Sequence, residues 1–148
     1  MFELINTMAY LHNLNICHRD LNLENVLINP KDHTIKVIDF GISKRLVNAK
    51  DPMFSPMGNV NYRAPEFLTH GNYSMSSDVW QIGLIFAQMI RRENISTKKA
   101  IKIIDLLRKE EGLGENGRKL MGSMLEIDSE KRINCEEAMK CEWFKGMC

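Results

Sequence analysis

The sequence predicts a mainly α-helical domain with one short β-hairpin near its start. Two patterns predict this fold class. Apolar residues recur at helical spacing in several separate segments, and two β-type runs between residues 26 and 38 flank a cluster of turn-forming residues. With 148 residues, of which 44% are hydrophobic, the chain is long enough to build one domain around one core.

The first predicted elements are an amphipathic helix and the hairpin. In the segment Phe2 to Leu14 the apolar residues fall at helical spacing: Leu4, Ile5, Met8 and Leu11. The hairpin pairs Val26 to Ile28 with Ile35 to Ile38, and the connection NPKDH contains three turn formers, Asn29, Pro30 and Asp32.

After the hairpin the pattern becomes irregular and then strongly helical. The segment Val47 to Tyr73 contains three prolines and two glycines, and a loop this long in a compact domain is usually functional. Asp78 to Arg91 is apolar around most of its circumference, which predicts a buried central helix. Three more helices are predicted: over Lys98 to Leu107, over Asn116 to Leu125, and from Asn134, where Glu137 completes a capping box.

Composition narrows the partners and the location. The net charge of +1 gives no electrostatic reason to expect nucleic acid or an anionic membrane as a partner. The four cysteines form no CxxC pair and are expected to be reduced thiols, as in cytosolic proteins. The start of the chain has no secretory pattern, and the most apolar stretch is about half the length that a bilayer requires. We therefore expect a cytoplasmic or nuclear protein.

Three short motifs follow one another in the chain: HRDLNLEN (His18 to Asn25), DFG (Asp39 to Gly41) and APE (Ala64 to Glu66). Their order, with 19 residues from Asp20 to Asp39, resembles the signature set of the eukaryotic protein kinase family, serine/threonine type. The resemblance covers nearly the whole chain. It implies a partial protein kinase domain over residues 1–148, the large C-terminal lobe, whose β-hairpin bears the catalytic and DFG loops.

The resemblance implies an ATP-dependent transfer of the γ-phosphate to serine or threonine hydroxyls of a protein substrate. Asp20 would accept the proton of the substrate hydroxyl, and Asn25 and Asp39 would supply oxygen ligands to Mg²⁺. Leu27 would form one side of the adenine site. His18, Phe40 and Gly41 complete the catalytic and DFG motifs.

The resemblance also implies regulatory and structural residues. Arg19 marks the kinase subclass that draws a phosphorylated activation-loop residue toward a basic pocket, and Ser55 stands eleven residues before Glu66, where that phosphoacceptor commonly lies. A plain loop serine before Pro56 is an equal alternative for Ser55.

Two further family contacts hold the lobe together. Asp78 would steady the catalytic loop, and Glu66 would pair with Arg132; the alternative for Arg132 is an exposed position at a helix start.

Two positions depart from the family pattern. Asn22 stands where serine/threonine kinases carry a lysine that contacts the transferring phosphate, and Asn59 stands where a threonine ties the substrate loop to the catalytic aspartate and that lysine. We interpret the two changes as coupled, with independent drift as the alternative. By analogy with the loss of one transition-state donor, Asn22 would lower kcat by on the order of 10²–10³.

The sequence contains no Gly-rich loop and no VAIK-type lysine, the parts that the small β-rich lobe contributes in the family. We therefore expect exposed apolar surface around Leu27, Phe40 and the first helix, and weak ATP binding by this lobe alone. Three hypotheses remain: the large lobe of an active kinase whose small lobe is absent from this chain, a weak or inactive pseudokinase-like module that binds a partner protein, and an unexpressed relic.

Overall fold

The computed structural model describes residues 1–47 and 58–145. Within these ranges the chain is mainly helical, with two small antiparallel sheets. The helices and strands are α1 (Phe2–Asn13), β1 (Ile16–Cys17), β2 (Val26–Ile28), β3 (Ile35–Val37), β4 (Lys44–Arg45), α2 (Pro65–His70), α3 (Met75–Arg91), α4 (Thr97–Leu107), α5 (Gly114–Met124) and α6 (Cys135–Met139). Short 3₁₀ turns occur at Leu23–Asn25, Val60–Tyr62, Glu111–Leu113 and Glu142–Phe144.

The predicted hairpin and helices are confirmed. Strands β2 and β3 pair antiparallel with Val26 opposite Val37 and Ile28 opposite Ile35. The five predicted helices appear as α1, α3, α4, α5 and α6, with ends shifted by a few residues. Asn134 caps α6 by accepting a hydrogen bond from the Glu137 N–H at 2.9 Å, as the capping box predicted.

Helix α3 is the centre of the core. Twelve of its residues are buried, among them Trp80, Ile82 and Leu84, which have no exposed surface. The Leu125 side chain packs closely against α3 at Gly83, where a Cβ atom would lie 2.9 Å from it. Helices α1, α4 and α5 pack around it. The first turns of α3 carry Asp78 and Gln81, whose side chains bind the segment that contains Asp20.

Three elements were not predicted: strands β1 and β4 and helix α2. Strand β1 pairs with β4, with Ile16 opposite Arg45 and Cys17 opposite Lys44, and helix α2 begins at Pro65 inside the segment predicted to be irregular. Two-residue strands are too short to show alternation, and a six-residue helix is too short to show a helical period. The β1–β4 pair brings the chain entering the HRD segment beside the chain leaving the DFG segment.

Three of the four cysteines lie in the described part of the chain. Cys17, Cys135 and Cys141 are free thiols, and Cys148 lies outside the described residues. Burial raises the pKa of Cys135 to about 12 and raises the pKa of Cys17 as well, so both stay protonated at neutral pH. No helix within residues 1–47 and 58–145 is long and apolar enough to cross a membrane.

Candidate active site

The Asp20 carboxylate is fixed from two sides. Its Oδ1 accepts a hydrogen bond of 2.7 Å from the Asn59 backbone N–H, and its Oδ2 accepts one of 3.3 Å from Asn25 Nδ2. The Asp20 N–H donates to His18 Nδ1 at 3.3 Å. Arg19, directly before it, has a left-handed backbone with φ of 74°. Asp20 is half-buried.

Asp78 anchors the chain that leads to Asp20. Its Oδ2 accepts the His18 N–H and its Oδ1 accepts the Arg19 N–H, both at 2.9 Å. The Tyr73 hydroxyl donates to Oδ1 at 2.7 Å, and His12 Nε2 lies 2.9 Å from Oδ2. Burial raises the pKa of Asp78, but these hydrogen bonds and the His12 charge outweigh it, so the pKa lies below its usual value and Asp78 is charged.

The DFG segment is attached to the same loop. The Ile38 N–H donates to the Asn25 backbone carbonyl at 2.9 Å, and His18 Nε2 lies 2.9 Å from the Ile38 carbonyl oxygen. The rings of His18 and Phe40 meet edge to face, with centroids 4.8 Å apart. These contacts place Asp39, the next residue after Ile38, beside the loop that carries Asp20 and Asn25.

Asn22 and Asn59 each cap a 3₁₀ turn. Asn22 Oδ1 accepts the N–H groups of Glu24 and Asn25 at 2.9 and 3.2 Å, and its Nδ2 donates to the Asp20 carbonyl at 3.1 Å. Asn59 Oδ1 accepts the Asn61 N–H at 3.0 Å. The hydrogen bond from Asn59 to Asp20 is therefore donated by the Asn59 backbone, and the Asn59 side chain caps its own 3₁₀ turn.

The same two asparagines line a polar cavity of about 560 Å³ beside the loop, together with Glu24, Asn61 and Gln88. Among the described residues that line this cavity, Glu24 is the only charged one. Asn22 and Asn59 therefore line the same cavity but make separate hydrogen bonds, and their coupling stays a prediction.

Glu66 and Arg132 form a bidentate ion pair. Arg132 Nη1 and Nη2 lie 2.8 and 2.9 Å from the two Glu66 carboxylate oxygens, and the Arg132 side chain has no exposed surface. Ser77 Oγ also donates to Glu66 at 2.7 Å, and the Arg132 Nε donates to the Glu126 carbonyl at 2.8 Å. Of the two alternatives for Arg132, the structure therefore contains the buried pair.

The family described as protein kinase domain matches residues 1–144 of the chain. The chain belongs to the eukaryotic protein kinase family. It is 34% identical over 98% of its length to calcium-dependent protein kinase 3 of Plasmodium berghei, and 31% identical over 96% to serine/threonine-protein kinase cds1 of Schizosaccharomyces pombe. It is 38% identical over 87% of its length to glycogen synthase kinase 3 of Trypanosoma brucei brucei.

The chain spans about a third of the length of these kinases: 28%, 34% and 38% respectively. The match to the protein kinase domain and the mainly helical structure are both consistent with the large lobe of a kinase fold. The relatives named here are serine/threonine or calcium-dependent protein kinases, or a glycogen synthase kinase.

Two residues of this kinase-like site have oxygens that suit Mg²⁺. Asn25 Nδ2 donates to the Asp20 carbonyl at 2.8 Å, an orientation in which its Oδ1 remains for a ligand. Asp39 is exposed and left-handed, with φ of 61°, and its Oδ1 accepts the Gly41 N–H at 3.2 Å. Mg²⁺ takes one or two protein oxygens and keeps waters and phosphate oxygens, so this donor pair fits the ion. In the described part of the chain no cluster of three or more His, Cys, Asp or Glu residues could hold a metal by itself.

The expected exposed apolar surface is present on this kinase lobe. Leu27 and Phe40 are 49% and 45% exposed, and Ile28, next to Leu27, is 58% exposed. On α1, Tyr10 is 66% exposed.

The predicted phosphorylation site, Ser55, lies outside the described residues. Its expected partner Arg19 is buried, with its guanidinium 5.8 Å from the centre of the Tyr73 ring and a 3.4 Å hydrogen bond to the Ile42 carbonyl. Lys44 and Arg45 on β4 are exposed.

Sequence reasoning missed four residues that shape the site: His12, Gly58, Tyr73 and Gln81. Gly58 has φ of 86°, and a Cβ there would lie 2.6 Å from the Arg19 carbonyl oxygen. Gln81 carried a usable signal, because a glutamine among apolar residues of a helix predicted to be buried needs polar partners. No pattern in the sequence pointed to the other three.

Proposed function

We propose that this chain forms the large lobe of a serine/threonine protein kinase, which transfers the γ-phosphate of ATP to a hydroxyl of a protein substrate. The observation that carries the proposal is the Asp20 carboxylate, held by Asn59 and Asn25 while Asp78 fixes the backbone before it. Family membership supports the reaction class.

The proposed chemistry relies on positioning. Asp20 accepts a hydrogen bond from the substrate hydroxyl, orients its oxygen and receives its proton as the new phosphate ester forms. Asn25 and Asp39 would hold Mg²⁺, which neutralises charge on the phosphate oxygens. Asn59 binds Oδ1 of Asp20 at 2.7 Å, whereas Asn25 binds Oδ2 at the longer distance of 3.3 Å, so we assign the substrate hydroxyl to the Oδ2 side.

The proposal includes a second lobe. In the family the nucleotide lies between two lobes, and here Leu27 and Phe40 offer exposed apolar surface to it. We propose that the glycine-rich loop and its lysine reach the site from another segment of polypeptide or from a partner protein. A cytoplasmic or nuclear location belongs to this proposal.

A pseudokinase-like binding module is the second candidate, and the geometry of Asn22 favours it. The three hydrogen bonds of the Asn22 side chain are all made inside the loop, and the residue carries no charge for the transferring phosphate. In this function the apolar surface around Leu27 would bind a partner protein.

A phosphate-transfer assay tests the first proposal. The chain is measured alone and joined to an upstream small lobe with a Gly-rich loop and a VAIK-type lysine, each with and without Asp20→Asn. We expect transfer by the joined protein and its loss, by at least about 10³-fold, in Asp20→Asn. Asp32→Asn is the matched control, because Asp32 is an exposed hairpin residue bonded to Thr34.

The pseudokinase proposal predicts different results. The joined protein would transfer no phosphate, Asp20→Asn would change nothing, and ATP with Mg²⁺ would not raise the unfolding temperature. Transfer that survives Asp20→Asn unchanged would contradict the role of Asp20.

Asn22→Lys should separate activity from stability. The new ammonium group supplies the missing charge, so we expect transfer by the joined protein to rise by on the order of 10²-fold. The lost cap of the 3₁₀ turn should cost about 1 kcal/mol, measured by urea unfolding. An unchanged rate would mean that another cation already serves the phosphate.

A further inference from the structure

Gln81 contacts the catalytic loop on both sides of Asp20. It lies on α3 three residues after Asp78, and only 1% of its surface is exposed. Its Oε1 accepts the Leu21 N–H at 2.9 Å, and its Nε2 lies 3.5 Å from the Arg19 carbonyl oxygen. One neutral side chain thus binds the residue before Asp20 and the residue after it.

Asp78 and Gln81 divide the loop between them. Asp78 binds the N–H groups of His18 and Arg19, which precede Asp20. Gln81 is the side chain that binds Leu21, the residue that follows. Tyr73 links the two anchors, because its hydroxyl lies 2.7 Å from Asp78 Oδ1 and 3.0 Å from Gln81 Oε1.

An amide suits this position better than a carboxylate. The side chain has to accept a hydrogen bond from the Leu21 N–H and donate one to the Arg19 carbonyl, and glutamine does both without charge. A glutamate would bring a second carboxylate to the Tyr73 hydroxyl that already binds Asp78. Two negative charges around one hydroxyl group would repel each other.

The loop needs an anchor after Asp20. Residues 18–22 belong to no helix or strand, and Arg19 has a left-handed backbone, a conformation that non-glycine residues keep only when their surroundings enforce it. Leu21 is fully buried, so without Gln81 its N–H would lose the partner that holds it in place.

We propose that Gln81 is a positioning residue, which sets the orientation of Asp20 by binding the peptide groups of Arg19 and Leu21. The inference rests on the proposed function for the role of Asp20. The anchoring of the loop itself can be measured without any activity.

Amide hydrogen exchange on the 148-residue chain tests the anchoring. Gln81→Met removes the donor and the acceptor at nearly constant volume. We expect exchange at the Leu21 amide to rise at least about tenfold beyond the change at core amides of α3, and the ¹³Cγ shift of Asp20 to move.

Gln88→Met is the matched control. Gln88 lies on the same helix and is also buried, and it binds the Tyr62 hydroxyl and the Ile95 carbonyl. It should lower stability without a selective increase in exchange at Leu21. Equal effects of the two variants at Leu21 would overturn the inference.

A second measurement needs no variant. A scalar coupling across the hydrogen bond, from the Leu21 ¹⁵N to the Gln81 ¹³Cδ, should be detectable in the unaltered protein. A Leu21 amide that exchanges freely and shows no such coupling would also overturn the inference, even if Gln81→Met fails to fold.

Kinetics of the joined protein complete the test. Gln81→Met should lower kcat about 10- to 100-fold with little change in KM for ATP, because Gln81 orients Asp20 and binds no nucleotide. An unchanged kcat would overturn the positioning role. If Asp20→Asn leaves transfer intact while Leu21 is protected by Gln81, the proposed function fails and the anchoring stands.

Discussion

Arg19 and Asp39 both hold left-handed backbone conformations, with φ of 74° and 61°. Such conformations cost a non-glycine residue about 1–2 kcal/mol each, so the surrounding structure has to enforce them. Asp78 binds the N–H of Arg19, and the Asp39 carboxylate accepts the Gly41 N–H. Strain is therefore located beside the proposed base and at a proposed metal ligand.

Gly58 is the residue whose substitution should disturb Asp20 most directly. In Gly58→Ala the added Cβ would lie 2.6 Å from the Arg19 carbonyl oxygen and 3.5 Å from Asp20 Oδ1, and φ of 86° disfavours any side chain. We expect the Asn59 N–H to move away from Asp20 and stability to fall by about 1–3 kcal/mol. The Asn59 amide chemical shift and urea unfolding measure both effects.

Gly112→Ala is the control for Gly58→Ala, because a Cβ at Gly112 meets nothing within 4 Å. It should leave the Asn59 amide shift unchanged. Similar shifts in the two variants would show that the close approach at Gly58 does not hold the loop.

The motifs in the sequence predicted Asp20, Asn25 and Asp39 as site residues, because these positions lie at fixed spacings in the chain. Gly58 and Gln81 could not be placed in the same way. Their partners in the loop lie 39 residues (Gly58 to Arg19) to 62 residues (Gln81 to Arg19) away in the chain, so only the folded arrangement brings them together. Asn22 was singled out because it stands where serine/threonine kinases carry a lysine, and its capping of the 3₁₀ turn depends on a backbone shape that the sequence does not reveal.

At the scale of elements, the Glu66–Arg132 pair joins helix α2 to the segment before α6. Arg132→Met should destabilise the chain by about 3–5 kcal/mol, because Glu66 would keep its charge in a site where only 13% of its side chain is exposed. Urea unfolding at neutral pH measures the change.

Arg108→Met is the control for Arg132→Met. The Arg108 side chain is 43% exposed and lies 3.3 Å from Glu126, so its loss should cost less than about 1 kcal/mol. A comparable loss of stability in both variants would show that the buried pair contributes no more to stability than the exposed pair does.

The elements that sequence reasoning found are those with enough length to show a period. The seventeen residues of α3 and the paired runs of the hairpin gave clear patterns. Strands β1 and β4 have two residues each, and their pairing depends on the position of β1 after α1. The pairing of β1 with β4 forms only in the folded lobe, so no local pattern in the sequence predicts it.

At the scale of the whole molecule, acid should release the central anchor. The folded-state pKa of Asp78 lies below its usual value, so its contribution to stability is present at neutral pH and is lost as pH falls below about 4 through the lowered folded value. His12, Tyr73 and the loop N–H groups face this carboxylate. The free energy of unfolding should fall with pH across this range, and less steeply in Asp78→Asn.

Surface pairs share the acid response, because partners Lys131 and Arg91 also lower the pKa values of Asp128 and Glu93. Asp128→Asn is therefore the control, and it should flatten the pH dependence less than Asp78→Asn does. Equal flattening would mean that the central anchor adds nothing to acid sensitivity.

The distance along the chain between the loop and its anchors has a consequence for synthesis. The His18 and Leu21 N–H groups find their partners 60 residues downstream, on α3. At a ribosomal rate of about 5–20 residues per second, Asp78 and Gln81 are added roughly 3–12 s after the HRD segment. During translation the His18 and Leu21 N–H groups therefore lack these partners for several seconds. Their native hydrogen bonds can form only after α3 has emerged from the ribosome.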